Sequence, residues 1–248
     1  MTAVARSSGS STTTDLRRRI AALDWAALVA ELGRWGWART ARVLDARTCR
    51  ALAGVFDERA RFRSHVDMQR HRFGAGEYRY FAAPLPEPVA TLREVFYERL
   101  APIANAWMEA LGESTRYPAR LEAFTARCAA AGQRKPTPLL LRYEAGGYNR
   151  LHQDLYGELA FPLQVAIGLS RPGVDYAGGE ILLVEGQART QSRGDAVLLG
   201  QGEALVFANA VRPVPSARGW SRATMRHGVS RVLSGHRVVL GLIFHDAA

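Results

Sequence analysis

The first part of the chain is dominated by apolar residues that recur every three or four positions, which is the spacing of amphipathic helices. One such stretch covers residues 15–34 and ends at a pair of nearby glycines. Asp45 is suited to N-cap a second helix over residues 46–61. The pattern therefore predicts two helices before residue 62, separated by a short apolar segment at residues 37–43.

Helical spacing returns in the middle of the chain. Apolar residues within 92–111 predict a pair of helices, the second beginning at Pro102, because a helix tolerates proline in its first turn. A further helix is predicted over residues 121–131, before Gly132. Residues 70–81 instead alternate polar and aromatic side chains, which predicts a strand after a Gly-rich turn.

From residue 136 onward, short apolar runs alternate with Gly, Pro, Asp and Asn. Many short strands with such breaks are typical of an antiparallel β-sandwich or barrel. We therefore predict an α+β fold, with a jelly-roll core in residues 136–248 buttressed by a helical N-terminal layer in residues 15–135, together one compact unit. Residues 1–14 are rich in Ser and Thr and are expected to form a disordered tail.

Composition agrees with an ordinary globular protein, since 48% of the 248 residues are hydrophobic. No window approaches the roughly 18 consecutive apolar residues of a membrane helix, so no membrane partner is expected. Cys49 and Cys128 each lie beside apolar neighbours in a helical pattern and are predicted to be buried free thiols. Reduced thiols indicate a cytoplasmic location.

The chain carries a formal net charge of +10, with Lys135 as its only lysine. A positive field of this kind attracts polyanions such as nucleic acid. The alternative is a solvated surface whose arginines reflect a GC-rich genome, because net charge constrains association and not fold. Charge alone leaves both interpretations open.

Candidate metal ligands occur in two places. His152 and Asp154 lie two positions apart in a segment that leaves a strand, so both side chains point to the same side. Near the C-terminus, His227 lies on one predicted strand and Arg237 begins the next, which predicts a hairpin with a Gly-containing turn. Two imidazoles and one carboxylate form the facial triad of non-haem Fe(II) oxygenases, which leaves three metal positions open for a keto acid and O2.

Arg237 is the candidate anchor for the distal carboxylate of such a keto acid, through a bidentate ion pair. The alternative is an exposed hairpin arginine paired with a surface acid, and Arg231 can face the same way, depending on the turn. Among the other histidines, His236 is the one competitor of His227, although strand alternation points it away from the site. His65, His71 and His245 are expected to be surface or packing residues.

Three sequence strings together carry a family resemblance. They are R-Y-x-x-G-x-Y-x-x-x-H-x-D at residues 142–154, the Gly-Gly-Glu step at 178–180, and H-x-V-x-x-V-x-x-G-x-R at 227–237. The combination resembles the prolyl-hydroxylase-like branch of the Fe(II)/2-oxoglutarate-dependent dioxygenases. The resemblance implies a double-stranded β-helix core and the use of Fe(II), 2-oxoglutarate and O2.

The same resemblance implies roles for single residues. His152, Asp154 and His227 would be the metal ligands, and Arg237 would bind the 5-carboxylate of 2-oxoglutarate. Tyr143 matches a tyrosine that often lines the cosubstrate pocket in such proteins. Gln164, a polar residue within an apolar strand, is a further candidate for hydrogen bonding to 2-oxoglutarate, with a buried amide satisfied by the backbone as the alternative.

Over its whole length the chain is most similar to a bacterial oxygenase family associated with oxidative demethylation of alkylated DNA. That similarity implies a nucleic acid with alkylated bases as the partner and release of formaldehyde. Such an enzyme needs arginines and aromatic faces near the metal to hold an extruded base. Two segments supply them, residues 70–81 and 209–226, and they contain the candidate substrate residues Arg72, Tyr78, Arg222 and Arg226, to which Tyr156 beside the H-x-D triplet is added.

For each of these segments there is an alternative interpretation that involves no substrate binding. Residues 70–81 can be an edge strand whose charges resist aggregation, and residues 209–226 can be a solvated loop. The same core motifs also fit a hydroxylase of peptidyl proline or of a small molecule. A different class is a non-catalytic nucleic-acid-binding or sensor protein, although such a protein would need neither the three ligands nor Arg237. The sequence leaves the oligomeric state open.

Overall fold

The structure is a computed structural model that describes residues 8–248. Within this range the chain forms five α-helices and fifteen strands. The helices are α1 (Ser8–Ala21), α2 (Trp25–Trp35), α3 (Ala46–Gly54), α4 (Glu87–Ala110) and α5 (Leu121–Ala130). The strands are β1 (Trp37–Arg42), β2 (Phe62–Asp67), β3 (Gly74–Ala75), β4 (Glu77–Phe81), β5 (Leu139–Tyr143), β6 (Tyr148–His152), β7 (Leu163–Gly168), β8 (Tyr176–Gly178), β9 (Ile181–Gly186), β10 (Arg193–Val197), β11 (Glu203–Ala208), β12 (Val211–Ser216), β13 (Gly219–Val229), β14 (Val232–Gly235) and β15 (Arg237–Leu242).

The N-terminal helices differ from the predicted ones. Helix α1 already includes residues 8–14, so the prediction of a disordered tail is wrong for these positions, and residues 1–7 lie outside the described part. The single helix predicted over residues 15–34 is in fact two helices. The Asp24 carboxylate accepts a hydrogen bond from the Ala27 backbone N–H and caps the start of α2, which explains the break.

Two further predictions of element boundaries are wrong. Helix α3 ends at Gly54, and two 3-10 turns replace the rest of the helix predicted over 46–61. The helical pair predicted around Pro102 is the single helix α4, in which Pro102 is internal. Buried residues on both sides of Pro102, such as Leu100 and Trp107, pack into the core and stabilise the uninterrupted helix.

The fold is α+β, as predicted, and is built on two antiparallel sheets that face each other. The major sheet has the strand order β1-β11-β7-β15-β5-β4-β2. The minor sheet has the order β10-β9-β13-β6-β3, with β12 paired to β13, while β14 and β8 form a separate ribbon. One extensive cluster of buried apolar residues packs the helices against the major sheet. The helical layer therefore supports one sheet and leaves the space between the two sheets for the site.

The hairpin predicted between His227 and Arg237 is not formed. His227 lies on β13 in the minor sheet, whereas Arg237 begins β15 in the major sheet. Between them, β14 pairs with β8 and carries the chain from one sheet to the other. The two residues consequently face each other across the gap between the sheets.

The segment predicted as a strand over residues 70–81 begins with a turn. Arg72 has a positive φ of 60°, and the short strand β3 and strand β4 follow on different sheets. The segment therefore bridges the two sheets at one end of the gap. No helix among residues 8–248 is both long enough and apolar enough to span a membrane.

Candidate active site

Two neighbouring strands of the minor sheet bring three candidate metal ligands together. His152 at the end of β6 is paired directly with His227 on β13, and their ring centroids are 4.2 Å apart. Asp154 follows two residues after β6; its Oδ2 lies 3.2 Å from His227 Nε2, and its Oδ1 lies 3.7 Å from His152 Nε2. Ligand atoms of all three residues lie within 4.8 Å of one another. This donor set suits a divalent metal such as Fe(II).

Neighbouring groups hold these ligands in place. The His152 Nδ1 lies 2.7 Å from the Arg150 carbonyl oxygen, so the opposite ring nitrogen is free to face the metal position. The buried Asn209 side chain accepts a hydrogen bond from the Asp154 backbone N–H at 2.9 Å and donates one to the Asp154 carbonyl at 2.5 Å. Sequence reasoning missed Asn209, because nothing local links it to a residue 55 positions earlier.

The electrostatics of the site keep the ligands in their metal-binding forms. Burial lowers the pKa of His152, and the neighbouring His227 lowers it further, so the imidazole stays neutral. Burial alone would raise the pKa of Asp154, but its interactions with His227 outweigh burial and hold that pKa below its ordinary range. A neutral imidazole and an ionised carboxylate are the species that bind a metal.

Arg237 lies opposite the metal ligands on the major sheet, paired in register with Tyr143 on β5. Both side chains are buried, and the guanidinium carbon lies 5.5 Å from the centroid of the Tyr143 ring. Within the described residues, Arg237 Nε and the Tyr143 hydroxyl have no hydrogen-bond partner. Buried donors of this kind normally have partners, so their arrangement fits an anionic ligand such as the 5-carboxylate of 2-oxoglutarate.

Gln164 is a buried residue on β7 and lies between the candidate metal ligands and Arg237. Its amide nitrogen lies 3.2 Å from His227 Nε2 and 3.4 Å from the Asn209 side-chain oxygen. The amide therefore contacts a candidate metal ligand directly. A hydrogen bond from Gln164 to 2-oxoglutarate stays a prediction.

A cavity of about 410 Å³ connects the candidate metal ligands and Arg237 with the surface. Its inner wall contains Tyr143, Gln164 and Arg237. Residues from the region around β3, β4 and β6 also line the cavity, among them Arg72, Phe73, Tyr78, Tyr80, Arg150, Leu151 and Tyr156. The structure thus brings the sequence-predicted residues Arg72, Tyr78 and Tyr156 to this cavity.

The other two candidate substrate residues, Arg222 and Arg226, do not line the cavity. The buried residues Met225 and His227 occupy alternate positions of β13, so Arg222 and Arg226 project from its opposite, exposed face. Arg222 forms an ion pair with Glu113 instead. Their closeness to His227 along the chain was misleading, because adjacent strand residues point to opposite sides.

Arg212, in the same segment, has a structural role. Its guanidinium is buried, donates to Glu185 Oε2 at 2.5 Å and donates to the Gly33 carbonyl oxygen at 2.8 Å. It therefore ties the end of α2 to the minor sheet. The second segment proposed to bind substrate, residues 209–226, contributes none of its arginines to the cavity within the described structure.

Neither His236 nor His245 belongs to the group of candidate metal ligands in the described structure. His236 is 71% exposed at its side chain, near Glu144. His245 is buried, and its Nδ1 accepts a hydrogen bond from the Phe161 backbone N–H at 3.1 Å. The prediction of a packing or surface position holds for both residues.

Comparisons with known proteins support the same class of site. The model of a family described as "Oxygenase, catalysing oxidative methylation of damaged DNA" matches residues 76–247. Two uncharacterized proteins of Mycobacterium tuberculosis, from strains H37Rv and CDC 1551, are each 51% identical to the chain over 168 residues. These residues make up 68% of this chain and 72% of each relative.

Solved structures share the fold at low sequence identity. A Trichoplax adhaerens prolyl hydroxylase, solved with a peptide of hypoxia inducible factor, has a TM-score of 0.56 and 12% identity, over 97% of this chain and 94% of its own. A 2OG-Fe(II) oxygenase family oxidoreductase from Burkholderia pseudomallei has a TM-score of 0.52 and 17% identity, over 90% and 92%. These similarities confirm the predicted jelly-roll type of fold.

Proposed function

Since the chain belongs to the Oxygenase-NA family, whose model matches residues 76–247, we propose that it is an Fe(II)/2-oxoglutarate-dependent oxygenase that demethylates alkylated nucleic acid. His152, Asp154 and His227 would hold Fe(II), and Arg237 with Tyr143 would bind 2-oxoglutarate. The family and the donor set together fit Fe(II), 2-oxoglutarate and O2 as cofactors.

The observation that carries the choice of substrate is the composition of the cavity's outer part. Arg72 and Arg150 both line it, and neither guanidinium has a hydrogen-bond, ion-pair or ring partner within the described part of the chain. Phe73 and Leu151 beside them are 48% and 42% exposed. Unpaired cations next to exposed apolar faces suit a ligand with phosphates and flat bases.

This part of the cavity can receive a single nucleotide that has left its stack. Arg72 and Arg150 would neutralise phosphates on either side of it, while Phe73 offers an aromatic face for stacking. The cavity walls, including Tyr78, exclude water around the base. The backbone N–H of Arg150 donates to the Phe73 carbonyl oxygen at 2.8 Å, so the two segments that carry these residues are held together.

When bound, Fe(II) with 2-oxoglutarate and O2 supplies the oxidation of a C–H bond, coupled to the conversion of 2-oxoglutarate to succinate and CO2. Hydroxylation of an N-methyl carbon yields a hemiaminal, which breaks down to formaldehyde and the unmodified base. The contribution of the chain is to orient the methyl carbon toward the metal position between His152 and His227 and to anchor the cosubstrate at Arg237.

The proposal is tested by anaerobic loading with Fe(II) and 2-oxoglutarate, followed by exposure to O2 with and without methylated single-stranded DNA. We expect formaldehyde and succinate in equal amounts only with methylated DNA, and neither product from Asp154→Ala. Arg226→Gln serves as the matched control, because it removes an exposed arginine that does not line the cavity. Succinate without formaldehyde would contradict the demethylase proposal and leave the oxygenase intact.

The alternative substrate is a peptidyl proline or a small molecule. The outward position of Arg222 and Arg226 favours this alternative, because it removes one of the two basic segments from the site. A proline-containing peptide included in the same assay would then stimulate succinate formation. We propose a cytoplasmic location for either reaction, since Cys49 and Cys128 are both free and buried.

A further inference from the structure

The two carboxylate oxygens of Asp154 have different surroundings. Oδ1 accepts a hydrogen bond from the Tyr156 hydroxyl at 2.5 Å. Oδ2 lies 3.2 Å from His227 Nε2, whereas Oδ1 lies farther, 3.7 Å, from His152 Nε2. Oδ1 is therefore engaged by a tyrosine, and Oδ2 contacts a candidate metal ligand more closely.

Tyr156 is itself held by a second tyrosine. The Tyr80 hydroxyl donates to the Tyr156 hydroxyl oxygen at 3.0 Å, and the two rings meet edge to face at 6.2 Å between centroids. The Arg63 guanidinium lies 4.5 Å from the centroid of the Tyr80 ring, and the His245 ring packs 5.8 Å from Tyr156. Contacts on two sides thus hold the Tyr156 ring in one orientation.

The direction of the hydrogen bonds in this chain is determined by the chemistry of the groups. A tyrosine hydroxyl carries a proton that it can donate, and the Tyr156 hydroxyl lies at hydrogen-bond distance from Asp154 Oδ1. An ionised carboxylate can only accept. The Tyr156 proton therefore points to Asp154 Oδ1, and its oxygen is left to accept from Tyr80.

We propose that Tyr156, oriented by Tyr80, is a positioning residue that decides which oxygen of Asp154 binds the metal. The hydrogen bond occupies Oδ1 and leaves Oδ2 for the metal. This inference rests on the proposed metal site and is independent of the substrate. It also gives Tyr156 a different role from substrate contact, because its hydroxyl is committed to the carboxylate.

The consequence concerns the number of open metal positions. With a metal bound, two histidines and one carboxylate oxygen would occupy three of six positions, and a keto acid with O2 would require the other three. Without the Tyr156 hydroxyl, Oδ1 is free to bind as well and takes one of these positions. The carboxylate also loses the hydrogen bond that holds its plane, which lowers metal affinity, since partners of metal ligands typically contribute 10–100-fold.

The test measures metal binding without substrate, using purified full-length protein, anaerobic Fe(II) titration and the visible absorption of bound Co(II). We expect Tyr156→Phe to bind Fe(II) about 10–100-fold more weakly and to show a Co(II) spectrum of changed intensity, because the coordination number changes. Tyr80→Phe leaves the bond to Asp154 in place and is expected to cause a smaller loss in the same direction. Tyr78→Phe is the matched control. It removes a tyrosine hydroxyl from the same cavity wall, but this hydroxyl is not hydrogen-bonded to Asp154.

The outcomes separate this inference from the proposed function. Wild-type Fe(II) affinity and Co(II) spectrum in Tyr156→Phe would overturn the positioning role. Unchanged metal binding in Asp154→Ala would instead refute the metal site itself. If Tyr156→Phe does not fold, which circular dichroism detects, Tyr80→Phe decides, and wild-type affinity in that variant contradicts the inference.

Discussion

At the scale of single residues, Arg237 combines a buried positive charge with an unpartnered Nε atom inside the described structure. A charge in this state is stabilised by an anion that enters the cavity. We expect Arg237→Ala to raise the concentration of 2-oxoglutarate needed for half-maximal succinate formation by about 30-fold or more, since loss of one partner of a buried charge pair costs about 2 kcal/mol or more.

The control for this variant is Arg231→Ala, which removes an exposed arginine from the same C-terminal segment. Its 2-oxoglutarate requirement should equal that of the wild type. Fe(II) affinity should stay unchanged in both variants, because neither arginine contacts His152, Asp154 or His227. Equal effects of the two substitutions would refute the anchoring role of Arg237.

His245 makes the stability of the fold depend on pH. Burial lowers its pKa to about 4, from 6.5 for an ordinary histidine. Between these pH values the unfolded chain binds a proton that the folded chain does not, so the free energy of unfolding falls as the pH is lowered from 6.5 to 4. The full loss from this residue is about 3 kcal/mol, and the contribution is constant above pH 6.5.

Urea unfolding of the metal-free protein across this pH range measures the effect. His245→Asn keeps an acceptor for the Phe161 N–H and should flatten the decline in the free energy of unfolding. His236→Asn, at an exposed position, should leave the decline in the free energy of unfolding unchanged. A decline of the same size in His245→Asn would show that other groups cause it.

At the scale of elements, the ion pair between Arg212 and Glu185 joins α2 to the minor sheet. Both side chains are buried, and without Arg212 the Glu185 carboxylate keeps only the Arg193 guanidinium, at 3.6 Å, as an ion-pair partner. We expect Arg212→Met to lower the free energy of unfolding by up to about 3 kcal/mol, as measured by urea unfolding, because Arg193 still compensates part of the Glu185 charge. The double variant Arg212→Met/Glu185→Leu should recover most of this loss, because it removes both charges.

The same variants distinguish a structural role of Arg212 from a role in DNA binding. Arg212 does not line the cavity, so the double variant should bind methylated single-stranded DNA with the affinity of the wild type. A specific loss of DNA binding in a well-folded double variant would show that Arg212 contributes to the substrate site.

At the scale of the whole molecule, the net charge of +10 predicts salt-sensitive binding to DNA. Under the proposed function, this sensitivity comes in part from Arg72 and Arg150, which line the cavity. For single strands, each neutralised phosphate contributes about 0.7 to the slope of log K against log salt concentration. We therefore expect Arg72→Gln/Arg150→Gln to reduce the magnitude of the slope by about 1.4, as measured by fluorescence anisotropy with labelled DNA.

The matched control is Arg218→Gln/Arg226→Gln, which removes the same charge from two exposed arginines outside the cavity. The slope of this variant should stay close to that of the wild type. Equal slopes in the two double variants would mean that the charge acts only as a general field, as in the interpretation of the arginines as a solvated surface.

The chemistry of this protein was largely determined by local sequence. A separation of two positions is enough to place His152 and Asp154 on one side of a chain leaving a strand. The ten-position spacing from His227 to Arg237 is likewise part of a string that resembles the family. The change from helical periodicity to short apolar runs likewise predicted an α+β fold, because periodicity reflects which face of an element is buried.

Element boundaries and partners across the fold depended on tertiary structure. Burial on both sides of Pro102 maintains α4, although proline is unfavourable inside a helix. The crossing through β14 places His227 and Arg237 on opposite sheets instead of in a hairpin. Local sequence determines which side of a strand a residue faces, but only long-range strand pairing decides what lies opposite, and this is why Arg226 faces solvent while Tyr156 meets Asp154 and Tyr80.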